Sequence, residues 1–170
     1  AGTATGLMNN RKGSVGTGGQ VAKPILLDSG MDDLTVMAAT AYADAVGAQV
    51  INMSFGGSCN GICRAGREII GYKQTIESIA SRRVVVASAG NDNVDVNEEH
   101  IWPCRLDNVI CVGAHDSAGN GYSYSNYGTG IAVFAPTDIP VMPDGVSDMP
   151  VHGGTSASAP VVSGVAAMIL

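Results

Sequence analysis

Three short apolar runs, V-A-K-P-I-L-L (21–27), A-Q-V-I-N-M-S-F (48–55) and R-V-V-V-A-S (83–88), are separated by stretches of helical period, and this alternation limits the available folds more than any other feature. Runs this apolar suit strands covered on both faces, and strands joined through helices lie parallel, linked by right-handed crossovers. The predicted order is β-α-β-α-β, an α/β fold of three layers, α/β/α, around a mostly parallel central sheet. Leu34, Met37, Ala38, Ala41, Tyr42 and Ala45 predict one helix with its apolar stripe toward the core, Asp32 and Asp33 at its start and Gly47 past its end. Ala65, Ile69, Tyr72, Ile76 and Ile79 predict a second helix, segments 109–114 and 131–134 further strands, and the small apolar segment 157–170 a buried helix. Residues 1–20 read as a helix end followed by loop, and Pro24 fits a central strand poorly.

With 170 residues, 45% hydrophobic and 14% charged, the chain is expected to form one compact domain over 1–170. Nine basic residues against 15 acidic ones, with no basic run beyond Arg82-Arg83, argue against a nucleic-acid partner. No apolar run reaches the roughly 18 residues of a membrane span, so no membrane partner is expected. Cys59/Cys63 and Cys104/Cys111 read as two local disulfides of a secreted protein or as four buried thiols of a cytosolic one, with the first preferred; the spacing is not the paired C-x-x-C of a zinc site. The chain starts at Ala1 without an initiator Met or signal pattern and stops at Leu170 inside a helix without a stop signal, so a fragment or processed piece is expected.

Ligands of an open parallel sheet bind beyond the carboxyl ends of its strands, which singles out S-F-G-G (54–57) and A-S-A-G-N-D-N (87–93). Ser54, Phe55, Gly56 and Gly57 suit an extended peptide added as a strand, and equally a tight turn. Asn91 suits either an amide aimed at an oxyanion or a turn asparagine. Gly153-Gly154-Thr155-Ser156 sets a hydroxyl at a helix start, where unpaired N–H groups and the dipole favour negative charge; on its own, Ser156 also reads as an N-cap. Pro160 follows about one turn in, where a missing N–H costs least. The G-x-S-x-G elbow fails because Ser158 occupies its last glycine position, and G-T-G-G (16–19) precedes a strand, unlike a dinucleotide fingerprint.

Together these segments resemble the subtilisin-like serine proteases, the subtilases. G-T-S-A-S-A-P-V-V-S-G-V-A-A resembles the family's serine motif, V-I-N-M-S-F-G-G its substrate-binding strand, V-V-V-A-S-A-G-N-D-N its oxyanion segment, and A-G-T-A-T-G the helix after its catalytic histidine motif. The resemblance implies a serine endopeptidase that hydrolyses polypeptides through an acyl-enzyme, with Ser156 as nucleophile and Asn91 as oxyanion donor. It further implies that Ser54, Phe55, Gly56 and Gly57 line the substrate cleft opposite the backbone of Ser88, Ala89 and Gly90. His152 would touch substrate on the leaving-group side, and Trp102-Pro103 falls where relatives often hold a cis proline. A secreted monomer with no cofactor for catalysis is expected; relatives often bind structural calcium, but the acidic stretch 92–99 lacks the EF-hand pattern.

The family's catalytic Asp and His are expected upstream of Ala1, the His in a motif just before A-G-T. The 170 residues alone are therefore expected to be inactive, because a serine without a base is poorly activated. His152, on the same tight loop as Ser156, is a poor substitute, since a base must reach the hydroxyl and be oriented by a third group. His100 and His115 read as surface residues. The alternative is a pseudoprotease that keeps the cleft, binds peptides and has lost the triad.

Overall fold

The computed structural model describes residues 1–9, 11, 13–140 and 151–170. Four strands, β1 (Val50–Met53), β2 (Val84–Ser88), β3 (Val109–His115) and β4 (Val133–Pro136), form one parallel sheet in sequence order. Successive side chains along β2 point to opposite faces, and each face meets helices. Val85 and Ala87 join Val36 of α2 (Asp33–Ala45) with Ile76 and Ile79 of α4 (Tyr72–Ala80) in one core cluster. Val86, with Val112 and Ala135, packs on Ala159 of α5 (Thr155–Ile169) in the other. Both faces of β2 are covered, which is why its sequence is continuously apolar. The three-layer α/β/α architecture is thus the one expected.

Helix α2 forms where predicted but turns a different face inward. Its N-cap Asp32 accepts a hydrogen bond from Thr35 N–H at 3.0 Å. The buried residues are Val36, Thr40 and Ala43, whereas Leu34 and Tyr42 of the expected stripe are 64% and 56% exposed. Ion pairs hold this rotation at both ends: Asp33 meets Arg67 of α3 (Ile62–Ile69) at 2.8 Å, and Asp44 meets Arg82 and Arg83 at 2.6 and 2.8 Å. Thr40 is tolerated inside because its hydroxyl donates to the Val36 carbonyl at 2.7 Å.

The Arg82 hydrogen bond, and after it that of Arg83, pulls the Asp44 carboxyl down to about 2. A carboxyl depressed in the folded state contributes stability above its unfolded value, near 4, and loses it as the pH falls toward the folded value. Asp44→Asn is therefore expected to melt below the parent at neutral pH, with the gap in Tm closing between about pH 4 and pH 2. Thermal melts followed by circular dichroism across that range check this.

The second predicted helix is two. The chain breaks at Gly71, whose φ of 79° is a left-handed conformation open to a residue without Cβ. After the break, Tyr72, Ile76 and Ile79 enter the core; before it, Ile69 is 85% exposed. Segment 21–27 is not a strand. Val21, Ile25 and Leu26 are 57%, 52% and 75% exposed, and the segment lines, with the outer edge of β1, a cavity of about 500 Å³. Pro24 supplies no N–H for a ladder, and the outer edge of β1 has no strand partner among the described residues.

At the amino end, α1 (Gly2–Thr5) packs on α5, as a helix end followed by loop. Both local disulfides, Cys59–Cys63 and Cys104–Cys111, are present, and Trp102–Pro103 is cis. A short antiparallel pair, β5 (Ile139–Pro140) and β6 (Val151–His152), leads into α5.

Candidate active site

Parallel pairing sets Met53 beside Ala87, so the chain leaves β1 and β2 side by side as Ser54–Gly57 and Ala89–Asn91, and the amino end of α5 meets both exits. The helix is capped by Gly154, with φ of 79°, and a Cβ there would lie 3.1 Å from Asn91 Nδ2 and 3.2 Å from its Oδ1. Glycine thus permits both the turn and the close approach of the amide. Thr155 N–H and Thr155 Oγ1 both donate to Asn91 Oδ1, at 2.9 and 3.1 Å, and Gly90 N–H donates to Thr155 Oγ1 at 3.0 Å. A backbone N–H can only donate, so the amide's orientation is fixed and Nδ2 remains the donor at the mouth of the helix.

Ser156 is exposed at the second residue of α5 and is not the cap. Its hydroxyl donates to the Ser54 carbonyl at 3.0 Å, and the Ser54 hydroxyl donates to the Ser156 carbonyl at 2.9 Å. Ser156, Asn91 and Ser54 are therefore brought together around one helix end, whose dipole favours developing negative charge. His152, exposed on β6, is not the partner of this hydrogen bond.

The expected cleft walls differ in what they offer. Gly57 exchanges both backbone hydrogen bonds with Trp102, each 3.1 Å, so its main chain is not open to an added strand; Phe55 and Gly56 precede it without such a bridge. Ser88 and Ala89 are buried, the Ala89 N–H donates to the Val112 carbonyl, and the Ala89 carbonyl and both backbone groups of Gly90 are hydrogen-bonded, so Ala89 and Gly90 form a wall whose backbone groups are already engaged. His100 and His115 are half-buried at the surface, and His115 Nδ1 lies 2.6 Å from the Asp116 carbonyl. Asp95 in the acidic stretch accepts from Asn97 N–H at 2.7 Å, and among the described residues no three His, Cys, Asp or Glu are grouped to hold a metal ion.

Two residues that support the site escape a reading of the sequence. Thr155 is fully buried as the clasp on Asn91; its only sequence signal is a hydroxyl beside the motif serine. Asn126, also fully buried, accepts from Asp92 N–H and Val94 N–H at 2.9 and 3.1 Å, and its Nδ2 donates to the Ala89 carbonyl at 2.7 Å. Its own N–H bonds the Gly90 carbonyl at 3.0 Å, so one side chain and its backbone brace the turn bearing Asn91 from both sides. Asn126→Ala leaves two part-buried donors and the buried Ala89 carbonyl without their partner and is expected to lower stability by about 2 kcal/mol or more. The shift in the urea midpoint, with an unchanged denaturant slope, measures it.

The family description "Subtilase family" matches residues 1–170. The extracellular basic protease of Dichelobacter nodosus is 33% identical over 190 residues, an alignment covering 100% of this chain and 30% of that protein. Subtilisin DY of Bacillus licheniformis is 34% identical, covering 100% of this chain and 61% of its own length. The chain thus spans between about a third and three fifths of these relatives. Among solved structures, a protease from Pseudoalteromonas arctica superposes with a TM-score of 0.77 at 28% identity, covering 99% of this chain and 56% of that one. A cold-adapted subtilisin-like serine proteinase gives 0.68 at 26% identity, covering 82% and 48%.

Proposed function

Since the chain belongs to the subtilase family, we propose that it supplies the nucleophile, the oxyanion donor and one side of the substrate cleft of a serine endopeptidase. Ser156 attacks the peptide carbonyl, and Asn91 Nδ2 with the Ser156 backbone N–H stabilises the oxyanion on the way to an acyl-enzyme. Phe55 and Gly56 receive the main chain of an extended polypeptide, and the wall at 88–90 bounds its side chain. The observation that carries this reading is the double clasp of Thr155 on Asn91 Oδ1, which commits the opposite end of the amide to donation at the helix mouth.

Ser156 bonds a backbone carbonyl and no histidine among the described residues, so these 170 residues alone are expected to turn over peptides negligibly. A base and its orienting carboxylate come from elsewhere in the full-length gene product. The extracellular relatives and the two disulfides support secretion into an oxidising compartment, where the protein would act as a monomer. Treating the full-length gene product with a fluorophosphonate and mapping the adduct tests the proposal. The expected result is an adduct on Ser156 together with hydrolysis of unfolded casein. Peptide binding without adduct or hydrolysis would make the protein a pseudoprotease and overturn it.

A further inference from the structure

Pro160 sits inside α5, one turn beyond Ser156. In a regular helix the N–H of residue 160 would bond the carbonyl of residue 156, and proline has no N–H to give. The Ser156 carbonyl is instead served by the Ser54 hydroxyl at 2.9 Å. Behind Ser54, Asn52 Nδ2 donates to Ser54 Oγ at 2.9 Å, and behind Asn52, the buried Ser163 hydroxyl donates to Asn52 Oδ1 at 2.9 Å while lying 3.1 Å from the Ala159 carbonyl.

The direction of this chain follows from the vacancy at its end. The Ser156 carbonyl can only accept, and Ser54 has one proton. If that proton is spent on Ser156, Ser54 Oγ must accept from Asn52, and the amide must then present its oxygen to Ser163. The opposite orientation would take the Ser54 proton from the Ser156 carbonyl, at a position where proline already supplies no N–H.

We propose that Asn52 is a positioning residue for the nucleophile. Gripped by Ser163 of α5, it holds the single proton of Ser54 on the Ser156 carbonyl and so fixes the backbone of the nucleophile against the end of β1, at the carbonyl that Pro160 leaves without a helical N–H. Ser156 Oγ meanwhile donates to the Ser54 carbonyl, so two reciprocal hydrogen bonds set where the nucleophile sits. The proposal rests on Ser156 being the nucleophile.

The test compares full-length Asn52→Asp, Ser163→Ala and the double variant with the parent. Asn52→Asp replaces the donating amide with an acceptor, so the Ser54 proton turns toward the carboxylate and away from the Ser156 carbonyl. Expected is a fall in kcat of about five- to tenfold with KM within about twofold, and a smaller fall, about two- to threefold, for Ser163→Ala. In the double variant Ser163→Ala is expected to add nothing, because both act through the same amide. Tm is expected to stay within about 3 °C of the parent, which separates positioning from general loosening.

Unchanged kcat in Asn52→Asp, losses that multiply in the double variant, or a kcat loss that tracks a falling Tm would overturn the proposal. If Asn52→Asp does not fold, Ser163→Ala carries the test alone: a lower kcat at unchanged KM and Tm supports it, and an unchanged kcat overturns it. Fluorophosphonate titration of the parent comes first. A parent that takes no label removes the nucleophile reading itself, whereas a labelled parent whose variants acylate at its rate removes only the role of Asn52.

Discussion

Ser156→Ala in the full-length gene product is expected to lower kcat by at least about 10⁴-fold, and toward the roughly 2 × 10⁶-fold seen when a subtilisin loses its serine. Nothing else on the described surface of the cleft offers a hydroxyl at the helix mouth, with its backbone N–H in the first turn of α5 and its Oγ tied to the end of β1. What survives should be the catalysis supplied by the oxyanion donors and by substrate positioning, which act on a water-attack reaction as well. KM should move little, because Phe55, Gly56 and the wall at 88–90 are untouched. Steady-state kinetics on a chromogenic peptide, with loss of the fluorophosphonate adduct as control, provides the measurement. A variant retaining more than about 1% of parental kcat would place the nucleophile elsewhere.

Asn91→Asp is expected to cost about 10²- to 10³-fold in kcat, or more, the range for loss of one oxyanion donor. Aspartate is close in shape to asparagine and still accepts the two hydrogen bonds from Thr155, so the turn and the amino end of α5 keep their ties. What changes is the other end of the side chain, where Nδ2 gives way to an oxygen bearing negative charge at the point where the transition state builds its own. The loss should fall on kcat and leave KM nearly constant, since the oxyanion does not exist in the ground state. Comparable kcat and KM losses, or a large drop in Tm, would mean that the Thr155 clasp matters for folding and not for the reaction.

The sequence made the sheet legible because β2 and β3 are buried on both faces and their composition records it. It pointed to Gly154, Ser156, Asn91 and Ser54, which the structure brings together, because they lie within short contiguous motifs. Where the answer depended on distant partners, local pattern misled. Hydrophobic periodicity alone turned α2 the wrong way, because the face it buries is set by arginines 34 and 39 residues away. Asn126 gave no local signal, since the groups it satisfies lie more than 30 positions earlier. The run 21–27 looked like a strand by composition, but a strand also needs an N–H at each ladder position and a neighbour to pair with, and Pro24 denies the first.

The outer edge of β1 has a consequence for handling the protein. Its amides and carbonyls, without a strand partner among the described residues, lie beside a cavity and a strip of exposed Val21, Ile25 and Leu26, a combination that invites another chain to dock edge to edge. Concentrating these 170 residues in isolation should therefore drive them into sedimenting, dye-binding oligomers. Because Asn52 lies on that same edge and belongs to the hydrogen-bond chain leading to Ser156, anything that pairs with the edge also meets the group that holds the Ser54 proton.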